Sequence, residues 1–284
     1  MALVAMTELL AHAGKNHYAV GAFNITDIAS LQGVVQAAEE EHSPAIIQTS
    51  ASSTVKYYGY KALFEMVASV AGPAKVPIAL HLDHCKDLEM VYACIDHGWT
   101  SVMYDGSSLP FKENLENSIA VVKRAHAKGV SVEGEIGAVW GVEDDIKVDE
   151  HPDMLADPVL AVRYARESGV DAFAPAIGTA HGLYKGEPKL DFDRLQTIIA
   201  QVTVPIVIHG GTGLADDVFH KLIGYGATKI NVSTQLKIGF FDGFKSYLES
   251  GGKVEPVKVL QHIAKTEKEI VKGFMRIFGS SGRM

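Results

Sequence analysis

The chain is 284 residues long, 47% hydrophobic, and carries a formal net charge of −8. That length and apolar content suit one large α/β unit with a substantial core, and the acidic balance excludes a general nucleic-acid binder, which needs a basic surface. An anionic small substrate stays open, because a few local donors outweigh a distant global charge. The two cysteines, Cys85 and Cys94, fall in one segment and form no disulfide framework. The N-terminal stretch MALVAMTELLAHAGKNHYAV lacks a basic region followed by an apolar run, so no signal peptide is expected. No stretch approaches the roughly 18 uninterrupted apolar residues of a membrane span. The expectation is a soluble cytoplasmic protein that engages neither membrane nor nucleic acid.

In chain order, short apolar runs predict strands at 18–23, 45–49, 78–82, 101–104, 131–135, 172–175, 206–209 and 229–232. Longer amphipathic stretches between them predict helices, among them 27–41, 112–127, 158–168 and 215–224. Several helices run into a glycine before the next strand, as in AHAKGVSVE, ARESGVDAF and LIGYGATKI. Glycine tolerates the left-handed conformation of a helix exit. Strand–helix alternation predicts a parallel sheet, and eight repeats at this length predict a closed (β/α)8 barrel, with an open doubly wound sheet as the alternative. With no long linker, residues 1–284 read as one domain. The tail, 253–284, reads as an additional C-terminal helix ending in the loop GSSGRM. The stretch 139–156 is acidic and weakly periodic, and a long loop inside a compact barrel is usually functional or disordered.

Chemistry in such a barrel sits where strands end. The third strand leads into His81-Leu82-Asp83-His84, the sixth into Gly178-Thr179-Ala180-His181-Gly182, and the seventh into His209-Gly210-Gly211-Thr212-Gly213. Any one of these histidines alone is better read as structural. Three imidazoles from separate strand ends, with a position left open, describe a catalytic zinc site. The pattern leaves both His81 and His84 eligible. Strand alternation sends His81 and Asp83 the same way, so His84, on the turn leaving the strand, is read as the ligand and His81 as a packed neighbour. Glycine and hydroxyl runs at Gly210-Gly211 and at Asn231-Val232-Ser233-Thr234 fall after strands seven and eight, where such barrels commonly cradle phosphate. Each run alone is a tight turn.

The segments LHLDHC, SVMYDGSSLPFKEN, VEGEIGAVWGVEDD, AIGTAHGLYKGEPKLDF, HGGTG and INVSTQLK resemble, in order and over nearly the whole chain, the class II fructose-bisphosphate and tagatose-bisphosphate aldolases. The resemblance implies that His84, His181 and His209 hold zinc, and that Asp105 and Glu135 provide a second or alternative metal position. It implies that Asp83 is the acid/base at the C4 hydroxyl and that Glu143, on a mobile loop, exchanges the proton at C3. Gly182, Gly210, Gly211, Asn231, Ser233 and Thr234 match the dihydroxyacetone-phosphate site, and Asn24 and Ser50 match further substrate contacts. Lys237, one helical turn past the Asn231–Thr234 run, matches a cation for the distal phosphate; by default it is a surface lysine. The implied cofactors are Zn2+ and a monovalent cation, Na+ or K+, and the implied assembly is a homodimer or homotetramer. Two positions depart from the family pattern: Trp140 stands before Gly141 where relatives have Gly-Gly, and Gln235 stands where many have Glu. Neither removes a residue with an implied chemical role.

The expected reaction is cleavage of a ketose 1,6-bisphosphate, fructose first and tagatose second, with no Schiff-base lysine because the metal is the Lewis acid. A non-catalytic partner subunit on the same barrel should lack Asp83 or Glu143, and both are present. A metal-dependent hydrolase is disfavoured by the paired phosphate loops.

Overall fold

The computed structural model describes residues 3–143, 146–148, 154–184, 186 and 188–284, with 140, 142–143 and 146–148 described by their backbone alone. The strands are β1 (Val20–Asn24), β2 (Ala45–Ser50), β3 (Ile78–Cys85), β4 (Ser101–Tyr104), β5 (Ser131–Ile136), β6 (Trp140–Glu143), β7 (Ile146–Val148), β8 (Ala172–Pro175), β9 (Ala180–His181), β10 (Ile206–Ile208) and β11 (Ala227–Val232). The helices are α1 (Met6–Lys15), α2 (Ile28–Glu40), α3 (Lys56–Tyr58), α4 (Tyr60–Ala71), α5 (Leu88–His97), α6 (Phe111–His126), α7 (Pro158–Glu167), α8 (Phe192–Ile199), α9 (Asp216–Gly224), α10 (Thr234–Glu249) and α11 (Pro256–Ile277). Eight strands close into a parallel barrel in the order β1, β11, β10, β8, β5, β4, β3, β2, and β7, β6 and β9 form a small separate sheet. The closed barrel, rather than the open sheet, is therefore the fold. The three glycine exits behave as their sequences imply: Gly129, Gly169 and Gly226 have φ of 71°, 75° and 110°.

Two apolar layers hold the barrel. Leu80, Leu82, Val102, Val132, Phe173, Ile208 and Ile230 belong to the large cluster between strands and helices. The alternate positions Val20, Ala22, Ile46, Ala79, Ala172, Ala174 and Val207 form a second cluster with Met6, Leu9, Leu10 and Ala13 of α1. These residues line the inside of the barrel, because strand side chains alternate between faces. Helix α1 thus closes the N-terminal end of the barrel, pinned by Val4 N to Ile78 O at 2.9 Å and Thr7 N to Ser131 Oγ at 3.1 Å. The tail forms α11, as expected, and α11 packs mainly on α2 and α10. The eight parallel barrel strands end at the opposite rim, so the C-terminal mouth collects their strand-end residues. Among the described residues, no helix is long and apolar enough to cross a membrane.

Candidate active site

The site begins with an irregularity in β3. The strand runs on to Cys85 instead of ending at Leu82. Its register with β4 pairs Leu82 with Val102 and Cys85 with Tyr104, so β3 spends one residue more than its neighbour over this step. That is a β-bulge. His84 takes up the extra residue with φ 47°, a left-handed conformation that costs a non-glycine residue about 1–3 kcal/mol. In a regular strand Asp83 and His84 would face opposite sides of the sheet. Here both reach the mouth, with His84 Nε2 4.0 Å from Asp83 Oδ1. The placement of His84 on a turn beyond the strand is corrected accordingly; the bulge does the turning.

One nitrogen each from His84, His181 and His209 lies within 4.8 Å of the others. Carboxylates orient two of the rings. His84 Nδ1 is 3.1 Å from Asp105 Oδ2, and Asp105 Oδ1 in turn accepts from Ser107 N and Oγ at 3.1 and 2.6 Å. His209 Nε2 is 2.7 Å from Glu133 Oε1, while its Nδ1 lies 3.1 Å from Glu135 Oε2. An ionised carboxylate only accepts, so the nitrogens bonded to Asp105 and Glu133 carry protons, and on the other nitrogen of each ring a metal ion would take the place of a second proton. Carboxylate–imidazole pairing of this kind fixes the tautomer of metal-binding histidines. Asp105 and Glu135 group with His84 in a second possible cluster.

Charge also favours a cation. Asp83, Asp105, Glu133 and Glu135 are all buried, and among the described residues Lys229 is the only buried lysine or arginine. Burial opposes charge on His209, but hydrogen bonds to Glu133 and Glu135 outweigh it and push its pKa up to about 9. For His84, too, the surrounding carboxylates overcome burial and raise the pKa well above the usual range. His181 is pushed the other way by burial and by the two neighbouring imidazoles. A field that draws protons to two of three clustered imidazoles would stabilise a divalent ion in their place. His81, by contrast, is fully buried and bonds Ser101 Oγ through Nδ1 at 2.7 Å. It is the packed neighbour.

Around this centre stand the other strand ends. Asn24 Nδ2 donates to Asp83 Oδ2 at 2.9 Å, and Gln48 Nε2 donates to Asn24 Oδ1 at 2.9 Å. Asp83 Oδ1 has no hydrogen-bond partner among the described residues. Ser50 ends β2, with Oγ 3.1 Å from Ser52 Oγ. At the opposite rim Asn231 and Ser233 are buried, Ser233 Oγ has no hydrogen-bond partner among the described residues, and Thr234 opens α10. A buried hydroxyl at a helix start suits a phosphate oxygen. Lys237 follows in α10, partly buried. Gly210 has φ 68°, and a Cβ there would lie 2.4 Å from Ala180 O. Glycine thus brings the loop after β10 against β9, next to His181. Gly211 and Gly182 flank the same contact in sequence.

Three features escaped the sequence reading. The stretch 139–156 contains the antiparallel pair β6–β7, and β6 pairs with β9 so that Gly141 faces His181. The backbone of Glu143 ends β6; the side chains of Glu143 and Trp140 lie outside the described residues. Tyr184 clamps the site, its hydroxyl accepting from Ala180 N at 3.0 Å and donating to Gly210 O at 2.8 Å. The third is Lys229, whose sequence signal is a lysine inside the strand run Lys229-Ile230-Asn231-Val232 at a barrel-facing position.

Comparison with known proteins places this geometry. The family model described as fructose-bisphosphate aldolase class-II matches residues 4–283. A fructose-bisphosphate aldolase of Geobacillus stearothermophilus is 42% identical over 286 aligned residues, covering 100% of this chain and 99% of that protein. One from Staphylococcus epidermidis is 40% identical with the same coverage. The crystal structure of the YdjI aldolase from Escherichia coli K12 superposes with a TM-score of 0.87 at 29% identity, covering 99% of both chains.

Proposed function

The chain belongs to the class II fructose-bisphosphate aldolases, metal-dependent lyases, and from that premise we propose that it reversibly cleaves fructose 1,6-bisphosphate to dihydroxyacetone phosphate and glyceraldehyde 3-phosphate. The observation that carries this reading is the convergence of His84, His181 and His209 beside the open oxygen of Asp83. The three imidazoles are assigned to zinc, the preferred ion for such a donor set, and Asp105 and Glu135 to an alternative metal position. When bound, the ion supplies Lewis-acid polarisation of the C2 carbonyl.

The rest is done by the chain. Asp83, held through Oδ2 by Asn24, takes the C4 hydroxyl proton on Oδ1. The C4–O bond becomes a carbonyl as the C3–C4 bond breaks, and the electron pair of that bond stays with C3. Glu143 then delivers a proton to C3 from the hairpin. Gly182, Gly210, Gly211, Asn231, Ser233 and Thr234 hold the dihydroxyacetone-phosphate end, Asn24 and Ser50 contact the sugar, and Lys237 receives the distal phosphate. Residues 1–284 act as one domain, in a cytoplasmic homodimer or homotetramer, with Na+ or K+ as an additional cation.

The test is elemental analysis of the purified protein with coupled assays on fructose and tagatose bisphosphates. Bound zinc and faster turnover of fructose bisphosphate are expected. Full activity in thoroughly metal-free protein would overturn the mechanism, and preference for the tagatose ester would move the substrate to the C4 epimer. Glu143 is tested separately, by solvent exchange of the C3 proton of dihydroxyacetone phosphate. Glu143→Ala should slow it, and exchange at the parental rate removes Glu143 from the mechanism.

A further inference from the structure

Beneath the mouth lies a charged group that the reaction does not use. The Lys229 side chain, on β11, is fully buried, as is that of Glu133 on β5. Lysine is almost never fully buried unless it is paired. Here Nζ lies 2.9 Å from Glu133 Oε2 and donates to Asn231 Oδ1 at 2.7 Å. The other oxygen of Glu133 holds His209 Nε2 at 2.7 Å. His81 Nε2 stands 3.7 Å from Glu133 Oε2, so the carboxylate is boxed in by three side chains. One ammonium therefore sits at the junction of two chains of contact. One runs through Glu133 to His209, and the other runs to the amide of Asn231.

A buried ion pair is a poor route to stability, because apolar residues of similar volume often serve as well. What apolar residues cannot do is hold a carboxylate against an imidazole and an amide oxygen against itself at the same time. With Oδ1 engaged by Nζ, the amide of Asn231 keeps its two N–H donors for a ligand. We propose that Lys229 is a positioning residue that couples metal retention to substrate binding, fixing the ring of His209 through Glu133 and the rotamer of Asn231 directly. This rests on the reading of His209 as a metal ligand and Asn231 as a substrate contact.

The experiment measures zinc affinity by chelator competition and, at saturating zinc, KM for the bisphosphate, in parent, Glu133→Gln, Asn231→Ala, Lys229→Met and His209→Ala proteins. Glu133→Gln should weaken zinc binding about 10–100-fold, the usual cost of losing a ligand's orienting partner, with KM little changed. Asn231→Ala should raise KM and leave zinc affinity alone. Lys229→Met should show both shifts in one protein, the KM rise being roughly 2–10-fold for one lost hydrogen bond. A folded Lys229→Met protein with parental zinc affinity, or with parental KM, overturns the proposal. If Lys229→Met does not fold, the charge-neutral double variant Glu133→Gln/Lys229→Met takes its place. It must then show a raised KM that Glu133→Gln alone lacks, and a KM equal to that of Glu133→Gln overturns the proposal. The reading beneath it fails differently: His209→Ala would retain zinc at parental affinity, whatever Lys229 does.

Discussion

The two halves of the barrel interior are built from the same strands and have opposite characters. On β1, Val20 and Ala22 face α1 and Asn24 faces the mouth; on β3, Ala79 lies low and Asp83 high. The lower half is apolar and closed by Met6, Leu9 and Leu10. The upper half gathers four buried carboxylates, one lysine and three clustered imidazoles. Burying apolar surface stabilises at roughly 25 cal/mol per Å2, whereas burying charge costs free energy unless each charge is paired and hydrogen-bonded. Stability is therefore concentrated at one end of each strand, and the chemistry is built at the other against a desolvation cost. Many kinds of strand-end residue fit this frame because the lower half does not depend on them.

The largest expected effect tests the upper half. Asp83→Ala should lower the cleavage rate about 10²–10⁴-fold with zinc retained and no loss of thermal stability, measured by coupled assay, elemental analysis and thermal unfolding. A large fall in Tm would mean that the mouth also supports the fold, and the division would fail. Next comes the lower half. Leu10, 1% exposed in the plug, should lose about 2–5 kcal/mol of stability on Leu10→Ala, read by urea unfolding. kcat/KM of the folded fraction should stay at the parental value, and a specific loss of activity would break the comparison from the other side.

A buried carboxyl outside the barrel sharpens it. Glu267 of α11 is 1% exposed, with its side chain near Gly33 of α2 and Gly239 of α10. At the mouth, burial would raise the pKa of Glu133, but Lys229 and His209 hold it well below the usual range. For Glu267, burial and then the nearby Asp27 charge push the pKa up from 4.5 to about 8. The native state thus keeps a proton that the unfolded chain gives up, so the contribution of Glu267 to stability is full below pH 4.5 and is lost as pH rises through about 8. Glu267→Gln should remove a slope of up to about 1.4 kcal/mol per pH unit between roughly pH 5 and pH 8. Urea unfolding at several pH values reads it, and identical slopes in parent and variant would refute it. The smallest effect belongs to a residue at the active-site rim that takes no part in chemistry. Asp157 caps α7, accepting from Leu160 N at 2.9 Å. Asp157→Ala should cost about 1 kcal/mol in unfolding experiments, with cleavage kinetics unchanged.

Much of this is legible in the sequence. The eight barrel strands fall within a few residues of their predicted positions, because alternating apolar runs and glycine exits are local signals. The β6–β7 pair was missed because strands of four and three residues carry too little periodicity to register. That helix α1 plugs the barrel has no local signal, because an amphipathic helix does not announce which surface it covers. The candidate ligands were legible as histidines at strand ends, and their family pattern gave the roles proposed for them.

Sequence by itself determined the parallel barrel, the rim where the chemistry gathers, and the residue types available there, because each follows from short-range pattern and from the rule that strand ends meet at one face. Only the tertiary structure decided which of those residues meet. The bulge at Asp83–His84 turns two neighbours to one side, and it is defined by register against β4. The tautomer of His209 depends on Glu133, 76 residues away, and the anchoring of Glu133 depends on Lys229, a further strand around the closed barrel. These are long-range contacts made possible by barrel closure, and no local pattern in the chain encodes a partner that arrives from across the interior.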